Sequence, residues 1–437
     1  MPDPYSPRPY VRLRHPDWCK DAVLYQINTR QFTDEGTIRA ATQHLVRLRD
    51  LGVGILWLMP VHEIGEANRK GPLGSPYAVK DYYSVNAQLG TMSDLREFVS
   101  TAHRLGMRVI LDWVANHTAW DNRLLTEHPD WYLKDRNGRP RPTPWWDWSD
   151  IVELDYSVPD LRRYMTRAML YWLEEAGVDG FRCDVAGFVP LDFWENLRRE
   201  AEAVKPVFML AEWESRDLHA AAFDATYSWT WNDTLHQIAR KDLSTDALRV
   251  YYSWNAKFWP HEAMRMTFVS NHDKSASEGT EFEQFGEALE ACVVLSVLGE
   301  GVPLIYNGQE AGFDERLDFL GEKSIVWRPH PMGDLYRRLI ALKKTHSCLS
   351  NAQWGARMEP LDAGDPVILA FERKDGSSHV VVGVNLSDVP RTARLADADG
   401  SGAWTDWATG ATVSSGALAD VHLPAWGYVV LLGGRHA

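Results

Sequence analysis

The chain has 437 residues, 45% of them hydrophobic, which is enough to bury a large core in two or three domains or in one barrel with additions. Its formal charge of −14 at pH 7 comes from 60 acidic and 46 basic side chains spread along the sequence. No basic run is present, so nucleic acid and anionic membranes are excluded as expected partners. The four cysteines are scattered without C-x-x-C spacing, which indicates neither a zinc site nor a disulfide framework.

The N-terminus shows no apolar core of a signal peptide, and no window of the sequence is long and apolar enough to span a membrane. These features predict a cytoplasmic protein. A secreted protein whose signal peptide had been replaced by a start methionine would read the same way.

Short β-branched or aromatic runs alternate with segments of helical period from Ala22 to about residue 345, a pattern typical of βα units around a parallel sheet. Eight such runs predict a closed (β/α)8 TIM barrel of the α/β class. The predicted strands are Val23–Asn28, Gly54–Pro60, Arg108–Trp113, Val178–Asp184, Pro206–Glu212, Ala225–Trp229, Met266–Ser270 and Val302–Tyr306.

The predicted helices are marked by their caps. Thr91 and Asp94 form a candidate capping box, after which apolar residues recur at helical spacing until Gly106. Gly52 and Gly177 end two further helices in the same way.

Two regions depart from the βα alternation. Residues 118–150, between the third and fourth strands, are polar and rich in Pro and Trp, and they are too long for an ordinary connection. After about residue 346 alternating strands replace helices, with a turn at Asp375-Gly376. We therefore predict a barrel formed by residues 1–117 and 151–345, an insertion at 118–150, and a small C-terminal β domain at 346–437.

Three predicted strands end close to a carboxylate: Asp184, Glu212 and Asp273. Active sites of β/α barrels are built at the C-terminal ends of the strands, where a single acidic residue can equally be a helix cap or a solvated loop residue. Three coincident cases favour catalysis. Cleavage of a glycosidic bond needs two carboxyl groups that face one gap, which these residues can supply.

The neighbours of two carboxylates suggest different roles. Arg182 lies on the same strand face as Asp184 and is expected to lower its pKa, which would keep it an anionic nucleophile. Glu212 lies between Ala211 and Trp213 at the end of an apolar strand, and such surroundings are expected to raise its pKa toward that of a general acid.

A fourth strand end carries Asp112-Trp113-Val114-Ala115-Asn116-His117, and this segment resembles the first signature of the α-amylase family of retaining glycoside hydrolases, glycoside hydrolase family 13. Segments 180–184, 209–212 and 271–273 resemble three further signatures of that family in matching order and spacing. Further similarity appears at 75–83, 302–310 and 423–428, so the resemblance covers nearly the whole chain. It implies that residues 118–150 form a short inserted domain and that residues 346–437 form a C-terminal antiparallel β-sandwich domain.

The resemblance implies that Asp184 is the nucleophile, Glu212 the acid/base, and Asp273 a carboxylate that holds two sugar hydroxyls. It implies a cleavage subsite lined by four further side chains, with Asp112 mainly structural. Those four are Tyr77, which would stack on the sugar ring, His117 and His272, which would bind hydroxyls, and Arg182, which would orient the nucleophile.

Calcium is the one metal that the resemblance raises, and no cofactor is expected to be required. Many family members bind calcium through an asparagine equivalent to Asn116, through carboxylates of the inserted domain, and through a Lys-His pair after the nucleophile. Here Val185-Ala186-Gly187-Phe188 replaces that pair. Asn116 is therefore either a calcium ligand or a hydrogen-bonding residue of its loop, and the specificity of the acceptor side stays open.

The resemblance predicts a retaining α-glucan hydrolase that acts on α-1,4 bonds, and also on α-1,6 bonds if Val185 follows members of mixed specificity. An endo-acting enzyme is favoured, because a short inserted domain leaves less protein to block the non-reducing end of the cleft. The alternatives are an α-glucosidase of short oligosaccharides, a glucanotransferase or isomerase on the same barrel, and a carbohydrate-binding protein without catalysis. Trp145, Trp146 and Trp148 either stack on sugar or pin the insertion to the barrel.

Overall fold

The computed structural model describes residues 5–395 and 403–433. Eight parallel strands close into a barrel in which each strand pairs with its neighbours in chain order, and the first pairs with the last. The predicted TIM barrel is confirmed. Its strands, labelled β1 to β8, are Leu24–Ile27, Ile55–Leu58, Arg108–Trp113, Gly180–Cys183, Phe208–Ala211, Ala225–Tyr227, Met264–Thr267 and Val302–Tyr306.

Two apolar layers hold the barrel together. Inward-facing residues such as Ile55, Ile110 and Phe208 fill its interior, while alternate residues of the same strands pack against the surrounding helices. The α-helices are Thr29–Phe32, Ile38–Thr42, Leu45–Leu51, Met92–Arg104, Leu124–Glu127, Pro159–Tyr171, Leu191–Val204, Trp229–Ala239, Asp246–Phe258, His272–Ser277, Glu281–Phe285, Leu289–Leu298 and Pro331–Thr345.

The predicted helix punctuation is confirmed. Thr91 and Asp94 form both hydrogen bonds of a capping box at the start of Met92–Arg104. Gly52 takes a φ of 101° at the end of Leu45–Leu51, and Gly177 takes a φ of 73° after the π-helical turn Trp172–Ala176. Only a 3-10 turn, Asp217–His219, separates β5 from β6.

The seventh strand was predicted too late in the chain, at Met266–Ser270, whereas β7 spans Met264–Thr267. The apolar run continues past the strand because Phe268 and Val269 are buried beyond its end. Asn271 then caps the short helix His272–Ser277, its side chain accepting a hydrogen bond from the Lys274 backbone N–H. Asp273 therefore lies in the first turn of a helix rather than at a strand end.

The segment between β3 and β4 leaves the barrel through the antiparallel pair His117–Ala119 and Ile151–Glu153. Another such pair, His62–Ile64 and Val79–Val85, lies between β2 and Met92–Arg104. Near the C-terminus, a six-stranded antiparallel sheet and a two-stranded one confirm the predicted all-β region. The larger sheet contains, in spatial order, Glu359–Leu361, Ile368–Lys374, His379–Asn385, Tyr428–Gly433, Trp404–Asp406 and Thr412–Val413, and the smaller contains Arg391–Ala393 and Val421–Leu423.

Among the described residues, no helix has both the length and the apolar character that crossing a membrane requires.

Candidate active site

A cleft of about 320 Å³ opens over the C-terminal ends of the barrel strands. It brings together Asp184, Glu212 and Asp273, the three carboxylates singled out in the sequence, with Tyr77, His117 and His272. The remaining lining residues are Lys70, Ser75, Asp147, Trp148, Asp150, Ile151, Val185, Phe319 and Leu320.

Arg182 lies directly beneath the cleft and is fully buried. Its Nη1 donates to Asp112 Oδ1 at 2.7 Å and to Asp184 Oδ1 at 2.9 Å, and its Nη2 lies 3.0 Å from Glu212 Oε2. The pairing of β3 with β4 sets Arg182 opposite Asp112, which explains the first contact. One guanidinium thus contacts three carboxyl groups, and it fixes Asp184 and Glu212 relative to each other.

Asp112 anchors a layer of aromatic and polar side chains. Its Oδ2 accepts hydrogen bonds from Trp57 Nε1 and from the Tyr77 hydroxyl, both at 3.1 Å. The Tyr77 hydroxyl also lies 2.7 Å from His272 Nε2, and the two rings stack with centroids 5.5 Å apart. The predicted structural role of Asp112 agrees with this position, since it is completely buried.

Glu212 is held by one of its two carboxyl oxygens. Oε2 accepts a hydrogen bond from the Val185 backbone N–H at 2.8 Å and lies beside Arg182. Val185 reaches this position with a φ of 35°, in the left-handed region that β-branched residues rarely adopt. Because Oε2 accepts the Val185 hydrogen bond and lies beside the positive charge of Arg182, a proton on this carboxyl group belongs on Oε1.

Asp273 and His117 complete the cleft lining. Asp273 Oδ1 lies 3.4 Å from His272 Nε2, and its side chain is more exposed than those of Asp184 and Glu212. The His117 ring lies 5.9 Å from that of Trp148, in the inserted segment. Asp273 follows β7 and His117 follows β3, so the two side chains line the cleft from the ends of different strands.

Burial dominates the electrostatics of the carboxyl groups. It raises the pKa of Glu212 to about 8, that of Asp184 to about 7 and that of Asp112 to about 6, while Arg182 opposes each shift. The raised Glu212 pKa agrees with the sequence prediction. Arg182 lowers the Asp184 pKa as predicted, but burial raises it by more, because one guanidinium is shared by three buried carboxyl groups and cannot offset their loss of hydration. The expected net lowering of the Asp184 pKa was therefore wrong.

Burial also lowers the pKa of both cleft histidines, His117 and His272, to about 4. Both imidazoles are therefore neutral at physiological pH and can each donate one hydrogen bond and accept another. His272 uses Nδ1 toward Gln26 Nε2, at 2.7 Å.

Replacing Glu212 by glutamine should stabilise the fold more at alkaline than at acidic pH. The folded-state pKa lies above the ordinary 4.5, so the folded protein binds this proton more tightly than the unfolded chain. The contribution of Glu212 to the free energy of unfolding is therefore fully present below pH 4.5 and is lost as the pH rises through the folded-state pKa of about 8. We expect a gain of about 1–3 kcal/mol near pH 8.5 and little near pH 5, measured by thermal unfolding. An equal gain at both pH values would contradict the assignment.

Asn116 is buried, and its side-chain nitrogen lies 3.3 Å from His117 Nδ1. Within residues 5–395 and 403–433, no group of three or more His, Cys, Asp or Glu side chains is arranged to hold a metal ion. In that part of the chain Asn116 is therefore not accompanied by a carboxylate cluster of this size, although calcium prefers several oxygen ligands. The assignment of Asn116 as a calcium ligand stays a prediction from the family resemblance.

Three site residues were not found by sequence reasoning. Gln26 orients His272, Tyr227 accepts a hydrogen bond from Arg182 Nε at 3.2 Å, and Lys70 lines the cleft. Gln26 left one usable signal, as a polar residue within the apolar strand Leu24–Ile27. Lys70 left none, since it lies in a loop whose path depends on tertiary contacts.

The tryptophans of the inserted segment differ in their surroundings. Trp145 is fully exposed, whereas Trp148 lines the cleft and contacts Trp146 with ring centroids 4.6 Å apart. Trp146 lies 5.9 Å from Phe188, which lies 5.1 Å from Trp213. The rings of Trp148, Trp146, Phe188 and Trp213 thus form a row that begins at the cleft. Phe188 lies four residues after Asp184, and Trp213 lies directly after Glu212.

Comparison with known proteins gives a consistent result. Residues 20–330 match the family model for the α-amylase catalytic domain. An α-amylase of Haloarcula japonica is 28% identical over 90% of this chain, which spans 59% of that protein's length. A cyclomaltodextrinase of Geobacillus thermopakistaniensis is 26% identical over 95% of this chain and 77% of its own length. The crystal structure of a maltogenic α-amylase from Thermotoga neapolitana superposes with a TM-score of 0.85 at 29% identity, covering 95% of this chain and 99% of its own.

Proposed function

The chain belongs to the α-amylase family of glycoside hydrolases, and we propose that it cleaves α-1,4 glucosidic bonds of maltooligosaccharides or starch-like glucans with retention of anomeric configuration. The observation that carries this proposal is the contact of one guanidinium, that of Arg182, with both Asp184 and Glu212. Such shared contact supports a short gap between the two carboxyl groups, as in retaining enzymes, where it is roughly 5–5.5 Å. The names of the relatives, which include amylases and a cyclomaltodextrinase, support the substrate class.

In the first step Glu212 is the general acid and Asp184 the nucleophile. The proton on Glu212 Oε1 passes to the glycosidic oxygen, while an Asp184 carboxylate oxygen attacks the anomeric carbon from the opposite face. The bond to the leaving sugar breaks, and a β-linked glucosyl-enzyme forms. The raised Glu212 pKa keeps this proton in place near neutral pH.

In the second step the roles of Glu212 reverse. Its carboxylate takes a proton from water, and the water oxygen attacks the anomeric carbon while the bond to Asp184 breaks, so the sugar leaves with its α configuration kept. Asp273 and the two neutral histidines, His117 and His272, hold sugar hydroxyls throughout. Tyr77 offers a flat ring for stacking against the sugar.

Transfer to a sugar acceptor is a second candidate activity, and the aromatic row of Trp146, Phe188 and Trp213 favours it. The rings of Trp146, Phe188 and Trp213 contact one another in sequence, and Trp213 directly follows Glu212, which protonates the leaving oxygen. We therefore infer that the row borders the leaving-group side of the cleft. A sugar stacked on these rings would compete with water for the glucosyl-enzyme, and would give a longer oligosaccharide.

The proposal is tested by a product profile. Maltotriose, starch, a cyclodextrin, pullulan and isomaltose are incubated with the protein, and the products are followed by chromatography and by NMR at early times. Hydrolysis with retention gives α-anomers first, before mutarotation. Initial β-anomers, or no product from any α-glucan, would contradict the proposal, and longer products from maltotriose would support transfer.

The proposal also includes the domain boundaries at 117/118, 150/151 and 345/346 and a cytoplasmic location. In support of the location, all four cysteines are buried and none forms a disulfide, which suits a reducing compartment.

A further inference from the structure

The topology of the barrel gives the cleft two distinguishable sides. Glu212 marks the leaving-group side, because it protonates the glycosidic oxygen, and it follows β5. In a barrel of eight strands in chain order, β8 and β1 lie directly across from β4 and β5, and β2 lies beside β1, three strands away from β5. The loops after β1, β2 and β8 therefore border the opposite side, where the non-reducing end of a glucan would lie.

Those loops are tied together at that rim. Arg30, after β1, donates from Nη1 to the carbonyl oxygens of Gly74 at 3.1 Å and Phe319 at 3.2 Å. These two acceptors belong to the loops that follow β2 and β8. Gly71 packs so closely against Leu320 that an added Cβ would lie 3.3 Å from the leucine Cβ, and Leu320 lines the cleft. The rim is thus a continuous wall rather than a gap between loops.

Lys70 extends this wall to the inserted segment. Its Nζ donates to the backbone carbonyl of Asp147, lies 3.3 Å from Asp147 Oδ1 and lies 3.8 Å from Asp150 Oδ1. Asp150 is almost completely buried at the cleft, and the Lys70 side chain is 30% exposed. All three residues line the same cleft as Asp184 and Glu212. The contacts of Lys70 with Asp147 and Asp150, called the Lys70 bridge below, therefore join the loop after β2 to the inserted segment at the border of the cleft.

We infer that the Lys70 bridge and the wall beside it close the non-reducing side of the cleft, so that the enzyme acts from the ends of maltooligosaccharides rather than within long chains. This inference rests on the proposed function and narrows its substrate class. The cleft volume of 320 Å³ supports it, because it lies at the lower end of the roughly 300–1,000 Å³ usual for small-ligand sites. It revises the sequence-based preference for endo action, since the barrel loops and the short insertion obstruct the cleft together, through the Lys70 bridge.

The test uses two p-nitrophenyl maltoheptaosides that differ only by a 4,6-O-ethylidene group on the non-reducing glucose. A closed pocket cannot admit the blocked end, and the wild-type protein is expected to cleave the free substrate at least about 10-fold faster than the blocked one. Lys70→Ala removes the bridge and is expected to reduce this ratio by about 3-fold or more, with product lengths resolved by chromatography.

Lys80→Ala is the matched control, because Lys80 also reaches the inserted segment, at 3.7 Å from Asp121 Oδ2, but does not line the cleft. Its ratio should equal that of the wild type. Equal cleavage of the two substrates by the wild-type protein would overturn the inference alone. An unchanged ratio in Lys70→Ala, with free substrate still cleaved, would overturn the role of the bridge. Cleavage of neither substrate by the wild-type protein would overturn the proposed function and this inference with it.

Discussion

Replacing Asp184 by asparagine is expected to lower kcat/KM on maltotriose by at least about 10⁴-fold. The amide has nearly the shape of the carboxyl group and can still face Arg182 Nη1 through its oxygen, but it cannot form the ester with the anomeric carbon. The loss should appear in kcat, because the carboxylate acts in the transition state more than in substrate binding. Initial rates over a range of maltotriose concentrations separate the two constants.

Asp192→Asn is the control for this variant. Asp192 lies in the first turn of the helix that follows β4, is exposed, and pairs with Arg162 at 2.6 Å, away from the cleft. It should keep wild-type kinetics, since exposed ion pairs contribute little to stability. Activity of Asp184→Asn within tenfold of the wild type, with an unchanged far-UV spectrum, would show that another group is the nucleophile.

The barrel was predictable because its signals are local. Alternating strands and helices, the Thr91 capping box and Gly52 are each specified within a few residues, and strand ends near Asp184 and Glu212 follow from them. Strand β7 was misplaced because the apolar run Phe268-Val269 is buried without being paired in the barrel sheet.

The net pKa shift of Asp184, unlike that of Glu212, could not be predicted from neighbouring residues in the sequence. Burial is the main cause of the raised Asp184 pKa, and Arg182 cannot offset it because it also contacts Asp112 and Glu212, which other strands bring to the site. The left-handed conformation of Val185, which presents its N–H to Glu212, is a tertiary property of the same kind. The sequence was sufficient to predict which carboxyl groups form the site, whereas their pKa values depend on burial and on contacts that only the folded structure shows.

The substrate path was the least predictable part. The wall on the non-reducing side combines loops after β1, β2 and β8 with the inserted segment, through Arg30 and Lys70. None of these contacts has a sequence signal, because each joins residues more than 40 positions apart. The length of the insertion alone therefore led to the opposite expectation about the cleft.

Replacing Glu212 by glutamine should lower kcat/KM on maltotriose by about 10²–10⁴-fold, the usual contribution of a general acid. The amide can keep the hydrogen bond from the Val185 N–H through its oxygen, so the substitution removes the proton on Oε1 while the position of the side chain is retained. Glu214→Gln serves as the control, because Glu214 lies two residues further on but binds Arg265 and Thr230 instead of lining the cleft. It should retain most of the activity.

The substrate α-glucosyl fluoride separates proton donation from every other role of Glu212. Fluoride leaves with little help from an acid, so Glu212→Gln should release a first equivalent of fluoride at nearly the wild-type rate. Loss of the catalytic base then leaves the glucosyl-enzyme on Asp184 to accumulate, detected as a protein mass raised by one glucosyl group. A slow first release would show that Glu212 positions the sugar or the nucleophile rather than donating the proton.

The pH profile gives an independent check of the same assignment. With maltotriose, wild-type kcat/KM should fall above about pH 8, because the reaction needs protonated Glu212, and below about pH 7, because it needs ionised Asp184. With α-glucosyl fluoride, the rate of the first fluoride release by Glu212→Gln should not decrease above about pH 8, because this variant has no titrating group at position 212. The rate should still decrease below about pH 7, where Asp184 becomes protonated. An alkaline fall that persists in this variant would assign it to another group and leave the general acid unidentified.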